Sequence, residues 1–203
     1  MKVLHRPGLF LAVVLLLQSV FLNACQAQRP VSVKSSAEKP QNASPGRLAE
    51  NVSSGSRIPL QESEEIVTLH NTIRAEVGVG PVRWSEKLAG YAQQWADHLA
   101  SSRCEMEHRP RARKGQEEYG ENLFIGTARY YGTSDAVRAW AAEKPKYHGG
   151  ALQSSHWSAA GHYTQLVWQD TQQIGCATGL CKGKLIVVCN YDPPGNFLGQ
   201  KPY

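Results

Sequence analysis

Apolar residues recur every three or four positions in three segments of the chain, and this spacing predicts three helices. The first covers about residues 63–77 with Ser63 as its N-cap, and the second covers about 86–99 with Ser85 as its N-cap. The third covers about residues 134–144. Each helix carries one apolar stripe, so each is expected to pack that side against the rest of a folded domain.

A different pattern follows Gly161, where β-branched and aromatic residues form short runs bounded by turn residues. Runs at 163–168, 174–177 and 185–191 predict three strands. Residues 104–133 show little periodicity and predict a long loop. Helices first and antiparallel strands last favour an α+β fold, in which the helices pack on a small antiparallel sheet.

The first 60 residues show no such periodicity beyond one apolar run. Two basic residues precede that run at 9–22, which is shorter than a membrane span and typical of an export signal. We therefore assign residues 1–24 to a signal peptide and 25–60, rich in Ser, Pro, Gln and Asn, to a disordered linker. Residues 61–203 are expected to form one domain.

Two maturation routes are open at the end of the leader. Leu22-Asn23-Ala24-Cys25 resembles a bacterial lipobox. In a lipobox the cysteine receives a diacylglycerol on its thiol, and cleavage then makes this cysteine the N-terminal residue. Cleavage near Ala24 or Ala27 followed by free secretion is the alternative. The protein is thus expected to be extracellular or lipid-anchored at the cell envelope, with membrane contact only through the leader or a lipid.

The basic net charge of the chain does not belong to the predicted domain. The 203 residues are 41% hydrophobic and carry a formal net charge of +5. Residues 61–203 contain 15 basic and 15 acidic side chains, so the excess lies in the leader and linker. A neutral domain gives no support for a nucleic-acid partner.

Four cysteines fall within the domain, at positions 104, 176, 181 and 189. An even number of cysteines in an exported domain predicts disulfides, and four allow three connectivities. A structural zinc site is the alternative, although the sequence has no C-x-x-C pair.

Four polar residues are candidate site residues: His108, Glu121, Glu143 and His162. Two imidazoles and two carboxylates bind a divalent metal such as zinc, or act as acid and base, if the fold brings them together. Their spacing alone does not establish this, and four ordinary surface or capping groups are the alternative. The sequence lacks H-E-x-x-H, G-x-S-x-G and phosphate-binding glycine loops, which excludes several hydrolase classes and most nucleotide chemistry.

Four segments together resemble the signatures of one family, and they occur in the family's order. They are His70-Asn71-Thr72-Ile73-Arg74, Gly120-Glu121-Asn122-Leu123, the run Gly161–Trp168 and the run Cys189–Phe197. The chain resembles the CAP superfamily of cysteine-rich secretory proteins, antigen 5 and class 1 plant pathogenesis-related proteins. The resemblance covers about residues 66–203. Within the family, the sequence is most similar to the plant class and its bacterial relatives.

This resemblance implies an α-β-α sandwich with a three-stranded antiparallel sheet between helical layers. It implies that the four candidate site residues meet at the floor of a central cleft, which binds zinc or a similar divalent ion in many relatives. It also implies disulfides that join Cys104 to Cys181 and Cys176 to Cys189.

In function, the resemblance favours a secreted binding protein over an enzyme. Relatives bind sterols or fatty acids in a groove between helices, and many act in defence or host–microbe interaction. The expected partner is therefore a sterol, a fatty acid or another cell-surface ligand. The alternative is a zinc-dependent hydrolase or peptidase with Glu121 or Glu143 as general base. Many relatives have Ser directly after the first site histidine, but Arg109 stands there in this chain, so a hydrolytic role of that serine does not carry over.

Overall fold

The computed structural model describes residues 53–110 and 118–203. The signal peptide, Cys25 and most of the predicted linker lie outside these ranges. The described chain contains helices α1 (Leu60–Ala75), α2 (Glu86–Ser101), α3 (Thr133–Ala141) and α4 (Ser154–Leu166), with a 3₁₀ turn at Lys144–Lys146. None of these helices has the length and apolar character needed to cross a bilayer.

A four-stranded mixed sheet lies between the helices. Its strands are β1 (Arg83–Trp84), β2 (Gly120–Thr127), β3 (Gln173–Cys181) and β4 (Lys184–Asp192), in the order β1-β3-β4-β2. The last three strands pair antiparallel, as the resemblance implied, and the two-residue β1 adds a parallel edge beside β3. The predicted α+β class is therefore confirmed.

Each face of the sheet buries its own apolar cluster. Ala177, Val188 and Leu123 lie on the face that packs against α2. On the opposite face, Ile174 and Val187 belong to the cluster that includes residues of α1, α3 and α4. Successive side chains of a strand point to opposite faces of the sheet, so each face packs against its own helices. Helices on both faces of one sheet make the fold an α-β-α sandwich.

Helix α2 lies directly on the sheet because β3 carries glycine where the two backbones meet. A Cβ atom at Gly175 would lie 2.2 Å from the amide nitrogen of Ala89, and one at Gly179 would lie 2.6 Å from the carbonyl oxygen of Ala96. Any larger residue at either position would push the helix away from the strand.

Both disulfides have the pairing that the resemblance implied. Cys176 and Cys189 face each other across β3 and β4, with their Cα atoms 4.1 Å apart. The second disulfide joins Cys104, which follows α2, to Cys181 at the end of β3, with Cα atoms 5.9 Å apart. It therefore fixes the start of the segment that leads to His108.

Two predicted elements are wrong. Residues 163–168, expected as a strand, form the end of α4 and the turn after it, while part of the expected loop at 104–133 forms β2. Residues 163–168 are all buried, so their apolar character reflects burial on every side rather than the alternation of a strand. A short apolar run of this kind does not distinguish a helix from a strand.

The helix boundaries also differ in part. Ser85 caps α2 as predicted, since its side chain accepts a hydrogen bond from the amide of Leu88. Ser63 is not a cap, because α1 begins earlier, at Leu60, and the Ser63 hydroxyl donates to the Leu60 carbonyl. The third helix ends at Ala141, three residues earlier than expected, and a 3₁₀ turn containing a proline follows.

Residues 53–59, which the sequence analysis assigned to the linker, lie against the domain. The Ile58 side chain is buried, and the indole N–H of Trp84 donates to the carbonyl of Ser54 at 2.8 Å. Arg57 pairs with Asp97 of α2. The packed part of the chain thus begins before residue 61.

One buried cation connects α1 to the end of α4. The Arg74 guanidinium is fully buried and donates to the carbonyls of Leu166, Trp168 and Thr171 at 2.9 to 3.0 Å, and to that of Gly80 at 2.7 Å. Burial lowers the pKa of Arg74 to about 10, although the nearby Tyr191 raises it. The side chain therefore stays charged at neutral pH, and its N–H groups bond to backbone carbonyls.

We expect Arg74→Met to lower the free energy of unfolding by at least about 3 kcal/mol, because it leaves several buried carbonyls without a donor. Chemical denaturation of the disulfide-bonded protein measures this change. Arg83→Met, at an exposed arginine of β1, is the matched control and should change stability by less than about 0.5 kcal/mol. Equal effects of the two substitutions would contradict the role given to Arg74.

Candidate functional site

His108 and Glu121 form the first of two histidine–glutamate pairs. His108 follows α2 and the Cys104 disulfide, whereas Glu121 lies on β2 opposite Asn190 of β4. The Nδ1 atom of His108 lies 2.8 Å from Oε1 of Glu121, and the backbone N–H of Arg109 donates to the same oxygen at 3.1 Å. The imidazole is more than half exposed, while the carboxylate beneath it is almost buried.

Glu143 and His162 form the second pair. Nδ1 of His162 lies 2.8 Å from Oε1 of Glu143, while Oε2 accepts from the backbone amides of His162 and Tyr163 at 3.0 and 3.3 Å. These amides are open to the carboxylate because Ala160 interrupts α4 with non-helical backbone angles. Glu143 therefore caps the second half of α4 and orients its histidine at the same time.

The surroundings of Glu143 favour its charged form. Burial by itself would raise the pKa of this carboxyl. The hydrogen bond from His162, its charge and the two backbone amides outweigh that effect and lower the pKa below its ordinary value. Glu143 is thus a carboxylate whose two oxygens are both engaged.

The four candidate residues thus form two separate pairs. Within residues 53–110 and 118–203, no three His, Cys, Asp or Glu side chains form a group placed to hold one metal ion. Convergence of all four at one ion stays a prediction. Each histidine directs Nδ1 to a carboxylate, which leaves Nε2 as the nitrogen for a ligand.

This donor chemistry fits a divalent metal. A histidine that ligates through one ring nitrogen ordinarily gives the other N–H to a carboxylate, which fixes the tautomer and the ring orientation. Both pairs have that form. In addition, Oε2 of Glu121 is buried and has no hydrogen-bond partner within the described chain.

A cavity of about 530 Å³ opens beside the first pair. His108 and Glu121 line it, and neither residue of the second pair is among its lining residues. Its other lining residues come from α2, from the segments around β2, from α4, from β4 and from the turn after β4. They include Tyr91, Tyr119, Trp157, Gln165, Asn190 and Leu198.

Sequence reasoning missed Gln165 and Asn190 as cavity residues. Both lie inside the motifs that carry the family resemblance, and both are buried. A buried amide side chain inside an apolar run is the signal that identifies such residues, because buried polar groups need partners.

Arg109 occupies part of the cavity wall. Its guanidinium carbon lies 3.7 Å from the centre of the Tyr91 ring and 5.5 Å from that of Trp95. One of its N–H groups donates to the Tyr91 carbonyl at 3.0 Å. This stacked position holds a positive charge at the cavity next to His108.

A buried hydrogen-bond network leads from α1 to His162. Nδ1 of His70 lies 2.8 Å from the Ile66 carbonyl and Nε2 lies 3.1 Å from the Tyr191 hydroxyl, while Asn122 donates to that hydroxyl and to the His162 carbonyl. Since a carbonyl only accepts, His70 carries its proton on Nδ1 and accepts from Tyr191 at Nε2.

Burial sets the charge state within this network. The pKa of His70 is lowered to about 4, chiefly by burial; the hydrogen bond to the Ile66 carbonyl raises it in part, and the charge of Arg74 adds to the lowering. Burial likewise raises the pKa of Tyr191. His70 is therefore neutral at physiological pH.

A family model described as CAP, the cysteine-rich secretory protein family, matches residues 67–191. Pathogenesis-related protein 1A of Nicotiana tabacum is 39% identical over 141 residues, which cover 69% of this chain and 80% of that protein. Pathogenesis-related protein 1 of Arabidopsis thaliana is 38% identical over 150 residues, which cover 72% of this chain and 87% of that protein.

Solved structures share the fold. The crystal structure of NaASP2 with Zn²⁺ aligns with a TM-score of 0.63 at 24% identity, covering 72% of this chain and 86% of that one. The structure of BmVAL-1 aligns with a TM-score of 0.59 at 25% identity, covering 73% of this chain and 84% of that one.

Acid should destabilise the protein through His70. Its pKa is about 6.5 in an unfolded chain and about 4 in the fold, so the unfolded state binds more protons between these values. Stability is then lost as the pH falls through this window, by about 3 kcal/mol in total. Urea unfolding at several pH values measures this slope.

The same experiment on His70→Gln should remove that part of the slope. His98→Gln, at an exposed histidine of α2, is the control and should keep it. A slope that is equally steep without His70 would contradict the assignment.

Proposed function

This chain belongs to the CAP, or cysteine-rich secretory protein, family, and we propose that it is an exported binding protein with a defence-related role. The two disulfides support an oxidising destination. Both forms that the leader allows, free secretion and a lipid on Cys25, deliver the domain to the same side of a membrane. Its ligand enters the cavity beside His108 and Glu121.

We propose further that the two histidines hold zinc or another divalent cation. His108 and His162 would bind it through Nε2, with Glu121 and Glu143 as the hydrogen-bond partners that orient the rings. In this arrangement Glu143 is not a ligand, because both of its oxygens are engaged. The zinc in the NaASP2 crystal structure supports this proposal by analogy.

The ligand class implied by the resemblance is a sterol or fatty acid. The groove between α1 and α3 has little apolar surface for such a ligand, because Leu69 is the one apolar residue among its lining residues in the described chain. The cavity beside His108 instead carries the aromatic side chains Tyr91 and Trp157. We therefore propose the cavity as the place where a ligand binds.

A metal-dependent hydrolase or peptidase is the second candidate, and one observation favours it. Oε2 of Glu121 has no hydrogen-bond partner within the described chain and belongs to a residue that lines the cavity, so this oxygen would accept a proton from a water molecule that reaches it. A bound cation would supply Lewis-acid polarisation of a carbonyl. Glu143 suits the role of general base less well, because its oxygens already accept three hydrogen bonds.

Zinc titration of the metal-free, disulfide-bonded protein tests the metal proposal. We expect one ion per chain, with affinity lowered at least about tenfold in His108→Ala and in His162→Ala because each loses a ligand. Glu121→Gln and Glu143→Gln should weaken binding by about 10–100-fold, because they remove the partner of a ligating ring. His98→Ala is the control and should bind like the native protein; absence of binding in the native protein would contradict the proposal.

The hydrolase alternative predicts turnover of a peptide library that stops on chelation and in Glu121→Gln. Turnover would be lost because the variant has no carboxylate to accept the proton. Glu107→Gln, at an exposed glutamate one residue before His108, should keep full activity. Cleavage that survives both chelation and Glu121→Gln would rule out this mechanism.

A further inference from the structure

Three large apolar side chains are exposed to solvent beside the cavity. They are Trp157 of α4 and, in the turn after β4, Phe197 and Leu198, which are 52%, 46% and 60% exposed. Trp157 and Leu198 line the cavity itself. Single exposed apolar residues are common on soluble proteins, but a contiguous group of them indicates an interaction surface.

The hydrogen bonds of Asn196 show that these three side chains are neighbours. Asn196 directly precedes Phe197, and its Nδ2 donates to the carbonyl of Gly161 at 2.7 Å. The Trp157 indole lies beside the same glycine, because a Cβ atom at Gly161 would lie 3.5 Å from Cδ1 of the indole and 3.9 Å from Nδ2 of Asn196. We call Trp157, Phe197 and Leu198 the apolar rim.

The two segments that carry the apolar rim contain no acidic side chain. Residues 144–169 and 193–203 include three lysines and no Asp or Glu, although the domain as a whole is neutral. The segments are bonded to each other, since the amide of Leu152 donates to the carbonyl of Gln200 and the Leu152 carbonyl accepts from the amide of Gly199, both at 2.8 Å. They therefore form one side of the domain.

Lys146 and Lys201 place unpaired positive charge on this side. Both are exposed, and neither pairs with a carboxylate in the part of the chain that the structure describes. Lys201 directly follows the residues that are bonded to Leu152. Tyr147, next to Lys146, packs its ring against that of Tyr203 with ring centres 5.7 Å apart. Both lysines thus belong to the same surface as the C-terminal segment.

Other charged side chains near this side come in pairs of opposite sign. Lys144 pairs with Glu76 at 2.7 Å. Arg109 and Glu118 line the cavity together, with one charge of each sign. These pairs leave the positive sign given by the two unpaired lysines unchanged.

The size and placement of the apolar rim argue against two kinds of occupant. Phe197 is not among the lining residues of the cavity, so a small ligand inside the cavity would leave it uncovered. A stable protein–protein interface buries about 800 Å² on each partner. Three half-exposed side chains of this size offer roughly 300 Å².

An anionic lipid bilayer fits both the apolar and the basic residues. Trp, Phe and Leu side chains insert at the boundary between headgroups and acyl chains, and a few such side chains are enough for reversible binding. Lysines beside them are attracted to anionic headgroups.

We propose that the apolar rim, together with Lys146 and Lys201, docks this domain on an anionic lipid bilayer. Docking in this way turns the cavity towards the lipid surface, because Trp157 and Leu198 line it. The inference goes beyond the proposed function, since docking needs neither a ligand in the cavity nor a metal ion. It gives the folded domain a membrane contact of its own, in addition to the leader or lipid expected from the sequence.

Sedimentation with lipid vesicles tests this inference on the exported, disulfide-bonded protein, which carries Cys25→Ser so that no lipid tethers it. We expect saturable binding to vesicles of equal parts phosphatidylglycerol and phosphatidylcholine. The affinity should be at least about fivefold higher than for phosphatidylcholine alone, because two lysines are attracted to the anionic headgroups. No binding to the anionic vesicles, or equal affinity for both kinds, would overturn the inference.

A pair of leucine variants tests the apolar rim. Leu198→Ser should weaken binding to the anionic vesicles about tenfold, because it removes an inserted side chain. Leu180→Ser is the matched control and should bind like the native protein, since Leu180 of β3 is 70% exposed but lies outside the rim. Unchanged binding in Leu198→Ser, or equal losses in the two variants, would refute docking through the rim.

Two double variants test the lysines. Lys146→Gln with Lys201→Gln should remove the preference for anionic vesicles. Lys182→Gln with Lys184→Gln removes the same charge at exposed lysines where β4 begins, at the opposite end of that strand from residues 193–203, and should keep the preference. A preference that persists in the first double variant would overturn the inference.

Fluorescence quenching shows which side chain enters the bilayer. Vesicles with brominated acyl chains should quench the native protein, and Trp157→Phe should lose most of this quenching while it keeps an apolar ring at the rim. Quenching that is equal in the two proteins would mean that another tryptophan inserts, which would contradict the inference. Sedimentation velocity without lipid is the last check: a dimer that Leu198→Ser dissociates would show that a second copy covers the rim and would overturn it.

Discussion

The Arg74 guanidinium is fully buried and connects three separate parts of the fold through its hydrogen bonds. It joins α1 to the carbonyls where α4 ends and where the chain turns towards β3. A buried charge without a carboxylate is tolerated only when several oriented groups solvate it, so the backbone at 166–171 has little freedom to move. The end of helix α4, which carries His162 and Gln165, is thereby held to α1.

The two histidine–glutamate pairs arise from different parts of this framework. The first depends on β2 and on the disulfide that fixes the chain after α2, and the second depends on the break in α4 at Ala160. In both, the carboxylate holds Nδ1 and leaves Nε2 for a ligand. The proposed metal-organised binding site and the alternative hydrolytic site, which would use the unpaired oxygen of Glu121, both start from this geometry.

Much of the fold could be predicted from the sequence, because the Ser85 cap and the β4 run are local patterns. Glu121 and His162 stand inside the recognised motifs, and the fold pairs each of them with one of the other two candidates, His108 and Glu143. That all four meet at one site stays a prediction. The end of α4 could not be recognised, since a run buried on all sides has no period. The roles of Gln165 and Asn190 at the cavity could not be predicted either. Their hydrogen-bond partners, Gly195 and Gly120, are distant in the sequence, and no spacing pattern indicates these contacts.

Long-range ¹H–¹⁵N NMR on the metal-free protein at mildly alkaline pH measures the tautomer of the two site histidines. We expect His108 and His162 both to carry the proton on Nδ1, held by Glu121 and Glu143, and added zinc to shift their Nε2 resonances. Protons found on Nε2 in either ring, or Nε2 signals that zinc leaves in place, would contradict the proposed metal site.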